Sequence, residues 1–328
     1  MKIGMMTSDL SGGTLDFIKA IGVNHICAAD YHHSGYDELG YWDGEQLVEI
    51  RRHVETHSIQ LDMVALPLPS SNADCAPLPN IMLATDQRDS EIERVIRCIQ
   101  AAEKAGIPAV KGNLALTGVL SSEPVKGRGS AWHRSFDLDT VQVPTAWADV
   151  SVEEMWRRIE YFVERVIPAA QEAGIRVAIH PHDPVVPKGI GLDHRVLGDI
   201  EGLKRFCALS ASPYHGLNFC QGCMTQTGVS KETLIDAIRF FGSRKRLFLV
   251  HFRNIRGSVP RFREAFIDEG DMDMLATMKA YQEIGYEYMI VPDHYPRIQG
   301  DTPWGHQSRA YQIGYLKALI AATGGETA

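Results

Sequence analysis

The chain has 328 residues, 45% hydrophobic, 23% charged and 8% aromatic, and a formal net charge of −8. That length buries a core without disulfide or metal staples, and the composition is neither disordered nor collagen-like. Without a basic block, the negative balance excludes nucleic acid and anionic membranes as expected partners. Apolar runs such as Leu247–Val250 fall far short of the ~20 residues of a membrane span. The segment Met1–Thr7 turns polar without a signal-peptide core, so a cytoplasmic location is expected. Six cysteines (27, 75, 98, 207, 220 and 223) are too scattered for a secreted disulfide scaffold. Cys220 and Cys223 form one Cys-x-x-Cys pair with no second pair, which disfavours a zinc ribbon. A redox pair is the lesser reading, because the motif follows a strand-like run instead of opening a helix.

In chain order, short β-branched or apolar runs alternate with segments of three- and four-residue apolar spacing. The strand Lys2–Met6 precedes the helix Thr14–Ile21, and Asn24–Ala28 precedes Gly44–Thr56, whose Leu47, Ile50 and Val54 point inward. Gln60–Leu66 precedes Ser90–Ala105, ended by Gly106, and Ala109–Asn113 precedes Ser151–Ala173, ended by Gly174. Ser151 with Glu154 is a capping-box signature. The second half reads Arg176–His180 with Asp199–Ala208, Tyr214–Phe219 with Ser230–Phe241, Arg246–Phe252 with Met272–Ile284, and Tyr286–Pro292 with Gln307–Thr323. Eight such pairs predict a parallel sheet closed as a (β/α)8 TIM barrel over one domain, residues 1–328. Long Pro/Ser/Gly-rich loops follow strands three (about 67–86) and four (about 114–150), on the face where barrels keep their active sites. The latter holds Trp132, Phe136 and Trp147, too few anchors for a core of its own, and is expected to cover the site or a neighbouring subunit. An open doubly wound sheet is the runner-up, but no Gly-x-Gly-x-x-Gly follows the first strand.

The last four strands end in ligand-type residues: His180, Cys220, His251 and Asp293, at intervals of 40, 31 and 42 residues. Each interval is one βα unit, so the four sit at equivalent heights on neighbouring strands and converge at the catalytic face. A lone His or Cys at a strand end is usually just buried and hydrogen-bonded. Four in register on successive strands is a different case. Two imidazoles, a thiolate and a carboxylate suit Mn²⁺, Fe²⁺, Co²⁺ or Zn²⁺ and suit Ca²⁺ or Mg²⁺ poorly.

The segments His180-Pro181-x-Asp183-Pro184, Leu217-Asn218-Phe219-Cys220-x-Gly222 and Val250-His251-Phe252-Arg253-Asn254 continue with Phe262-x-Glu264-x-Phe266, Gly270-Asp271-Met272-Asp273-Met274 and Pro292-Asp293-His294. In this order, and with Tyr311-x-Ile313-Gly314-Tyr315-Leu316 as closing helix, the pattern resembles the mannonate dehydratase family, metal-dependent sugar-acid lyases on a xylose-isomerase-like barrel. The resemblance implies a hydro-lyase that converts D-mannonate or a related aldonic acid to 2-keto-3-deoxy-D-gluconate in hexuronate and glucuronate catabolism. It implies Mn²⁺ or Fe²⁺ on the same four residues. A homo-oligomer, dimer or tetramer, is the expected assembly. The chain departs from the family at His182, where a carboxylate is usual, at Val185, at Tyr295, and in the loop Tyr31-His32-His33-Ser34.

Dehydration needs a proton shuttle, for which His294 and Tyr311 are the candidates beside Asp293. Asn113, Arg253, His182, Lys111 and Arg134 are candidate substrate contacts. Otherwise such residues make hydrogen bonds behind a metal ligand, pack in the core or pair with surface charges. A sugar isomerase or epimerase on the same barrel is the competing enzyme reading, weakened by the lack of Glu at the four strand ends. A non-catalytic sugar-acid binding protein is the competing non-enzyme reading.

Overall fold

The computed structural model describes residues 1–30, 32, 35–184 and 186–325. In chain order its strands are β1 (Lys2–Thr7), β2 (His25–Ala28), β3 (Gln60–Ala65), β4 (Ala109–Gly112), β5 (Ser122–Lys126), β6 (Trp132–Asp137), β7 (Arg176–Ile179), β8 (His215–Cys220), β9 (Leu247–His251), β10 (Ile255–Ser258), β11 (Arg261–Glu264) and β12 (Met289–Val291). Eight of them close a barrel in the order β1-β12-β9-β8-β7-β4-β3-β2, and its pairings are parallel. These are the eight runs expected from the sequence.

The crossover helices start where their caps are. The Ser151 hydroxyl accepts the Glu154 N–H at 3.1 Å and opens Val152–Glu172, as Asp199, Ser230 and Asp273 do for the three helices after β7, β8 and β9. Gly106 and Gly174, at φ of 66° and 68°, take the left-handed turn that ends a helix. In Val152–Glu172 the residues Met155, Ile159, Phe162, Val163 and Val166 form the buried stripe against the barrel wall. Inside the barrel, Cys27, Met63, Ala109, Ala178, Phe248, Leu249, Met289 and Val291 pack into a separate core. That plug fills the lower barrel, so the strand-end side chains are left to face the C-terminal mouth.

The two catalytic-face insertions are more ordered than loops. The segment after β3 holds the short helix Pro79–Leu83. The Leu114–Val150 stretch supplies β5 and β6, and the segment after β9, unassigned in the sequence, supplies β10 and β11; together they form an antiparallel sheet in the order β10-β11-β6-β5. The insertion therefore shares its sheet with a distant part of the chain. Phe136 stacks on Phe262 at 5.3 Å, and both pack with Leu120, Val141, Leu192 and Ile255. β5 is largely exposed and carries Pro124, so it shows no alternation; its strand state is decided by pairing with β6. Among the described residues no helix is long and apolar enough to cross a membrane.

Candidate metal centre

The strand ends bring His180, Cys220, His251 and Asp293 to one point. One ligand atom from each lies within 4.8 Å of the others. The ladder explains the convergence: Cys220 is the direct partner of His251 across β8 and β9, and Val291 of β12 is the partner of His251 on its other side. Asp293 then stands two residues above Val291, with Oδ1 3.3 Å from His251 Nδ1 and Oδ2 3.9 Å from Cys220 Sγ. His180 closes the ring from β7, its imidazole 4.9 Å from that of His251.

The imidazoles are held from behind. His180 Nδ1 lies 2.7 Å from the Pro181 carbonyl, so it carries the proton and leaves Nε2 as the free donor. His251 Nε2 lies 3.0 Å from the Asn218 amide, while His251 Nδ1 and Asn218 Oδ1 are both buried without a hydrogen-bond partner. Turned over, that amide would offer Oδ1 to the Nε2–H and leave Nδ1 bare toward the centre, so that a bound cation would satisfy both orphaned atoms. An orphaned ring nitrogen among a thiol, a carboxylate and a second imidazole fits a divalent transition cation.

Electrostatics favour the charged ligand forms. Burial pushes the Cys220 thiol up, but its side-chain contacts with Cys223, His180 and His251 and the nearby Arg253 charge outweigh it and hold Cys220 well below its ordinary value. Asp293 is likewise held well below its ordinary range, burial being overcome by His251 and His294. Burial keeps Cys223 a thiol, pushed well above its ordinary value, with the hydrogen bond to Cys220 acting in the same sense.

Beneath the quartet lies a buried ion cluster around Arg253. Its Nε donates to Glu264 Oε2 at 2.9 Å, Nη2 donates to Glu264 Oε1, and Nη1 donates to Asp183 Oδ2 at 2.7 Å. Nη1 also lies 3.8 and 3.7 Å from the sulfurs of Cys220 and Cys223. Gln226 Nε2 donates to Asp183 Oδ1 at 2.8 Å, completing the carboxylate. Glu264 extends to His294, with Oε1 3.0 Å from Nδ1, while His294 Nε2 is 3.8 Å from Asp293 Oδ2. The His294 ring thus stands between the quartet and the small sheet, and 28% of its side chain remains open to solvent. Burial lowers its pKa, but Asp293 and Glu264 raise it further, for a net upward shift.

The other expected residues are dispersed. Half-buried Asn113 donates its amide to the Leu68 carbonyl at 3.3 Å. Lys111 lies half-buried on β4, and Arg134 is exposed on β6. Tyr311 is 40% exposed and its ring packs 5.8 Å from Phe266, beside Arg128 and Asp268, with none of its described contacts to the quartet. The departures at Tyr31, His33, Ser34 and Val185 lie outside the described residues. Glu264 and Asn218 stood in the quoted motifs without a role. Their contacts run across pairings that no local pattern announces. Two cavities of about 300 and 500 Å³ lie against the helix Ile200–Ala208, and no quartet residue lines either of them.

His182 is buried, with Nε2 donating to the Leu114 carbonyl at 2.8 Å and Nδ1 accepting the Leu197 N–H at 3.3 Å. Both bonds require the neutral ring. Burial, then the Arg195 charge, push its pKa down to about 3, and burial pushes His215 down to about 4. Unfolding returns both to about 6.5. Between the folded values and 6.5 the unfolded chain binds more protons, so stability falls on acidification by ~1.4 kcal/mol per histidine per pH unit; above 6.5 the two contribute no slope. The melting temperature is expected to drop clearly from pH 6.5 to 5, and less steeply in His215→Asn. A flat profile across that window in the wild type would contradict the assignment.

The chain's relatives follow this geometry. Residues 130–326, more than half of the chain, match the family model described as D-mannonate dehydratase (UxuA). The chain belongs to the D-mannonate dehydratase family. This is a family of hydro-lyases, and Mannonate dehydratase 2 of Halalkalibacterium halodurans is 29% identical over 339 residues, covering 94% of this chain and 92% of the relative. The mannonate dehydratase of Thermotoga maritima is 28% identical over 322 residues, covering 85% of this chain and 84% of the relative. In fold, the crystal structure of mannonate dehydratase from Streptococcus suis serotype 2 superposes with a TM-score of 0.85 at 24% identity, covering 100% of this chain and 97% of that one. A D-psicose 3-epimerase structure shares the barrel at a TM-score of 0.62 and 16% identity, covering 99% of this chain and 100% of that one. The barrel fold of this chain is thus shared with proteins outside the D-mannonate dehydratase family.

Proposed function

We propose that this chain is a Mn²⁺- or Fe²⁺-dependent dehydratase that converts D-mannonate, or a related aldonic acid, to 2-keto-3-deoxy-D-gluconate and water in hexuronate catabolism. The observation that carries the reading is the His180, Cys220, His251 and Asp293 donor set within 4.8 Å, in a member of this family. A bound divalent cation would supply Lewis-acid stabilisation of the negative charge that develops beside the carboxylate when C2 loses its proton.

The protein's own groups account for the proton path. His294 Nδ1 donates to Glu264, which leaves Nε2 unprotonated and open to accept the C2 proton. The imidazolium is stabilised by Glu264 and Asp293. The same proton then goes to the departing C3 hydroxyl, the C2–H and C3–O bonds are lost, a C2=C3 double bond forms, and water leaves. The enol gives up its hydroxyl proton and gains one at C3, yielding the 2-keto-3-deoxy acid. His294 can serve both carbons; this supports it over Tyr311, which is held among Phe266, Arg128 and Asp268. Asn113 and Lys111, on or beside β4, are proposed to bind the substrate's hydroxyls and carboxylate. Buried Arg253 is proposed to hold His294 and the thiolate in place through Glu264 and its own Nη1. His182 is proposed to shape the wall behind them.

All six cysteines are free, which suits a reducing cytoplasmic setting for the proposed enzyme. A dimer or tetramer is the proposed assembly. The deciding assay is formation of a 2-keto-3-deoxy acid from D-mannonate. It is expected with Mn²⁺ or Fe²⁺ present, abolished by a chelator, and restored by adding the metal back. Full activity in demonstrably metal-free protein, or an isomerised product without loss of water, would refute the reading.

A further inference from the structure

The small antiparallel sheet has two chemically different faces. On one, the cations are neutralised: Arg261 pairs with Asp137 and Asp139, and Arg263 pairs with Glu269. Arg128, at the hairpin turn, pairs with Asp268 and Glu269. The other face contains Glu264. The ladder pairs Phe262 with Phe136 and ends at Arg263 with Ser135; continued by one residue it sets Glu264 against Arg134, and opposed residues share a face. Both Glu264 oxygens are already held by Arg253 and His294, and among the described residues Arg134 has no carboxylate within ion-pair distance.

Alternation places Trp132 on the same face, two residues from Arg134. Lys126 of β5 stands opposite Trp132 on one side and Arg297 on the other, the latter exchanging backbone hydrogen bonds of 2.9 and 2.8 Å with Trp132. The Trp132 ring is 46% exposed, with Lys126 Nζ 5.2 Å from its centre. Lys126, Arg134 and Arg297 are all exposed, and none has an ion-pair partner among the described residues. In a chain of net charge −8, three unpaired cations around one open indole, continuous with the carboxylate that holds His294, form a local anion attractor.

We propose that this face receives a second anionic group, at the end of the substrate remote from C1, so that the preferred substrate is a dianionic sugar acid carrying a carboxylate or a phosphate at C6. The inference rests on the function proposed above. The C1 carboxylate and C2 belong at the quartet and His294, whose ring stands between Asp293 and Glu264. The carbon chain beyond C2 then runs from His294 toward the sheet. Trp132 offers a flat apolar surface to its C–H groups, and the three cations meet its far end.

Calorimetric binding and kcat/KM of the full-length, Mn²⁺-loaded protein with D-mannonate, D-mannarate and D-mannonate 6-phosphate test this. At least one dianion is expected to bind about tenfold tighter than D-mannonate, the size of two or three exposed charge pairs. Whichever dianion shows the advantage identifies the anion as carboxylate or phosphate. In Arg134→Gln/Arg297→Gln the advantage is expected to shrink to about twofold or less, and in Arg297→Lys to persist. Circular dichroism confirms that each variant is folded, and Lys126→Gln is a third, independent probe of the same face. Equal binding of all three acids by the wild type, or an undiminished dianion advantage in the double variant, overturns the inference. Failure of the dehydratase reading looks different: no keto acid from any of the three, with the binding preference intact.

Discussion

Cys220→Ser is expected to empty the metal centre on dialysis, whereas Cys223→Ser is expected to retain its metal. The two cysteines are three positions apart, both fully buried, and both within 3.8 Å of Arg253 Nη1. What separates them is their place on the backbone. Cys220 ends β8 opposite His251, so its sulfur joins the converging set. Cys223 lies within the one-turn helix Gln221–Thr225 that follows, outside that set. Their thiol pKa values diverge accordingly, that of Cys220 held well below the ordinary value and that of Cys223 pushed well above it. Serine at 220 replaces an anionic soft donor by a neutral hydroxyl, losing charge as well as a bond. Removing even a group behind a metal ligand typically costs ~10–100-fold in affinity or activity, and loss of a ligand should cost at least that. Metal content after dialysis, with circular dichroism and the dehydratase rate, measures this for both variants. Equal loss from the two would revive the paired-cysteine reading. Normal retention by Cys220→Ser would remove the residue from the shell.

Glu264→Gln is expected to lower kcat by ~100-fold or more with a much smaller change in KM, because it acts through His294. The carboxylate accepts from His294 Nδ1 and thereby sets which ring nitrogen is free. An amide in its place can present its NH2 to the imidazole, favouring the other tautomer and withdrawing the stabilisation of the imidazolium. A second consequence is structural. Arg253 is 2% exposed and shares its charge between Glu264 and Asp183. Removing one partner of a buried charge set costs ~3–5 kcal/mol, so a lower urea midpoint should accompany the kinetic loss. Glu264→Asp, which keeps the charge on a shorter arm, should recover part of the stability and part of kcat. A folded Glu264→Gln protein with wild-type kcat would exclude any role for this residue in orienting the base.

Both expectations rest on residues that differ in how visible they are along the chain. The quartet is legible because a βα repeat is a local, periodic device. Strand-end residues one unit apart must share a height, and His180, Cys220, His251 and Asp293 obey that rule. The barrel itself is legible for the same reason, since β-branched runs, Ser and Asp caps and terminal glycines each signal their element within a few residues. Ser151 with Glu154 became a cap at 3.1 Å.

The small sheet has no such signature. β5 is exposed and interrupted by Pro124, and β10 and β11 are only four residues each. They become strands because β6 and β11, more than 120 residues apart, pair antiparallel. Only that pairing carries Glu264 over the mouth to His294 and sets the face of β6 that holds Trp132 and Arg134 beside it. The barrel, its helical caps and the convergence of the four donor side chains are written in short-range periodicity, each signalled within one βα unit. Which carboxylate meets His294, which amide faces His251 and which face of the small sheet is left cationic are settled only in the folded chain. Those relations depend on long-range registers, which the hydrophobic pattern of an individual segment does not encode.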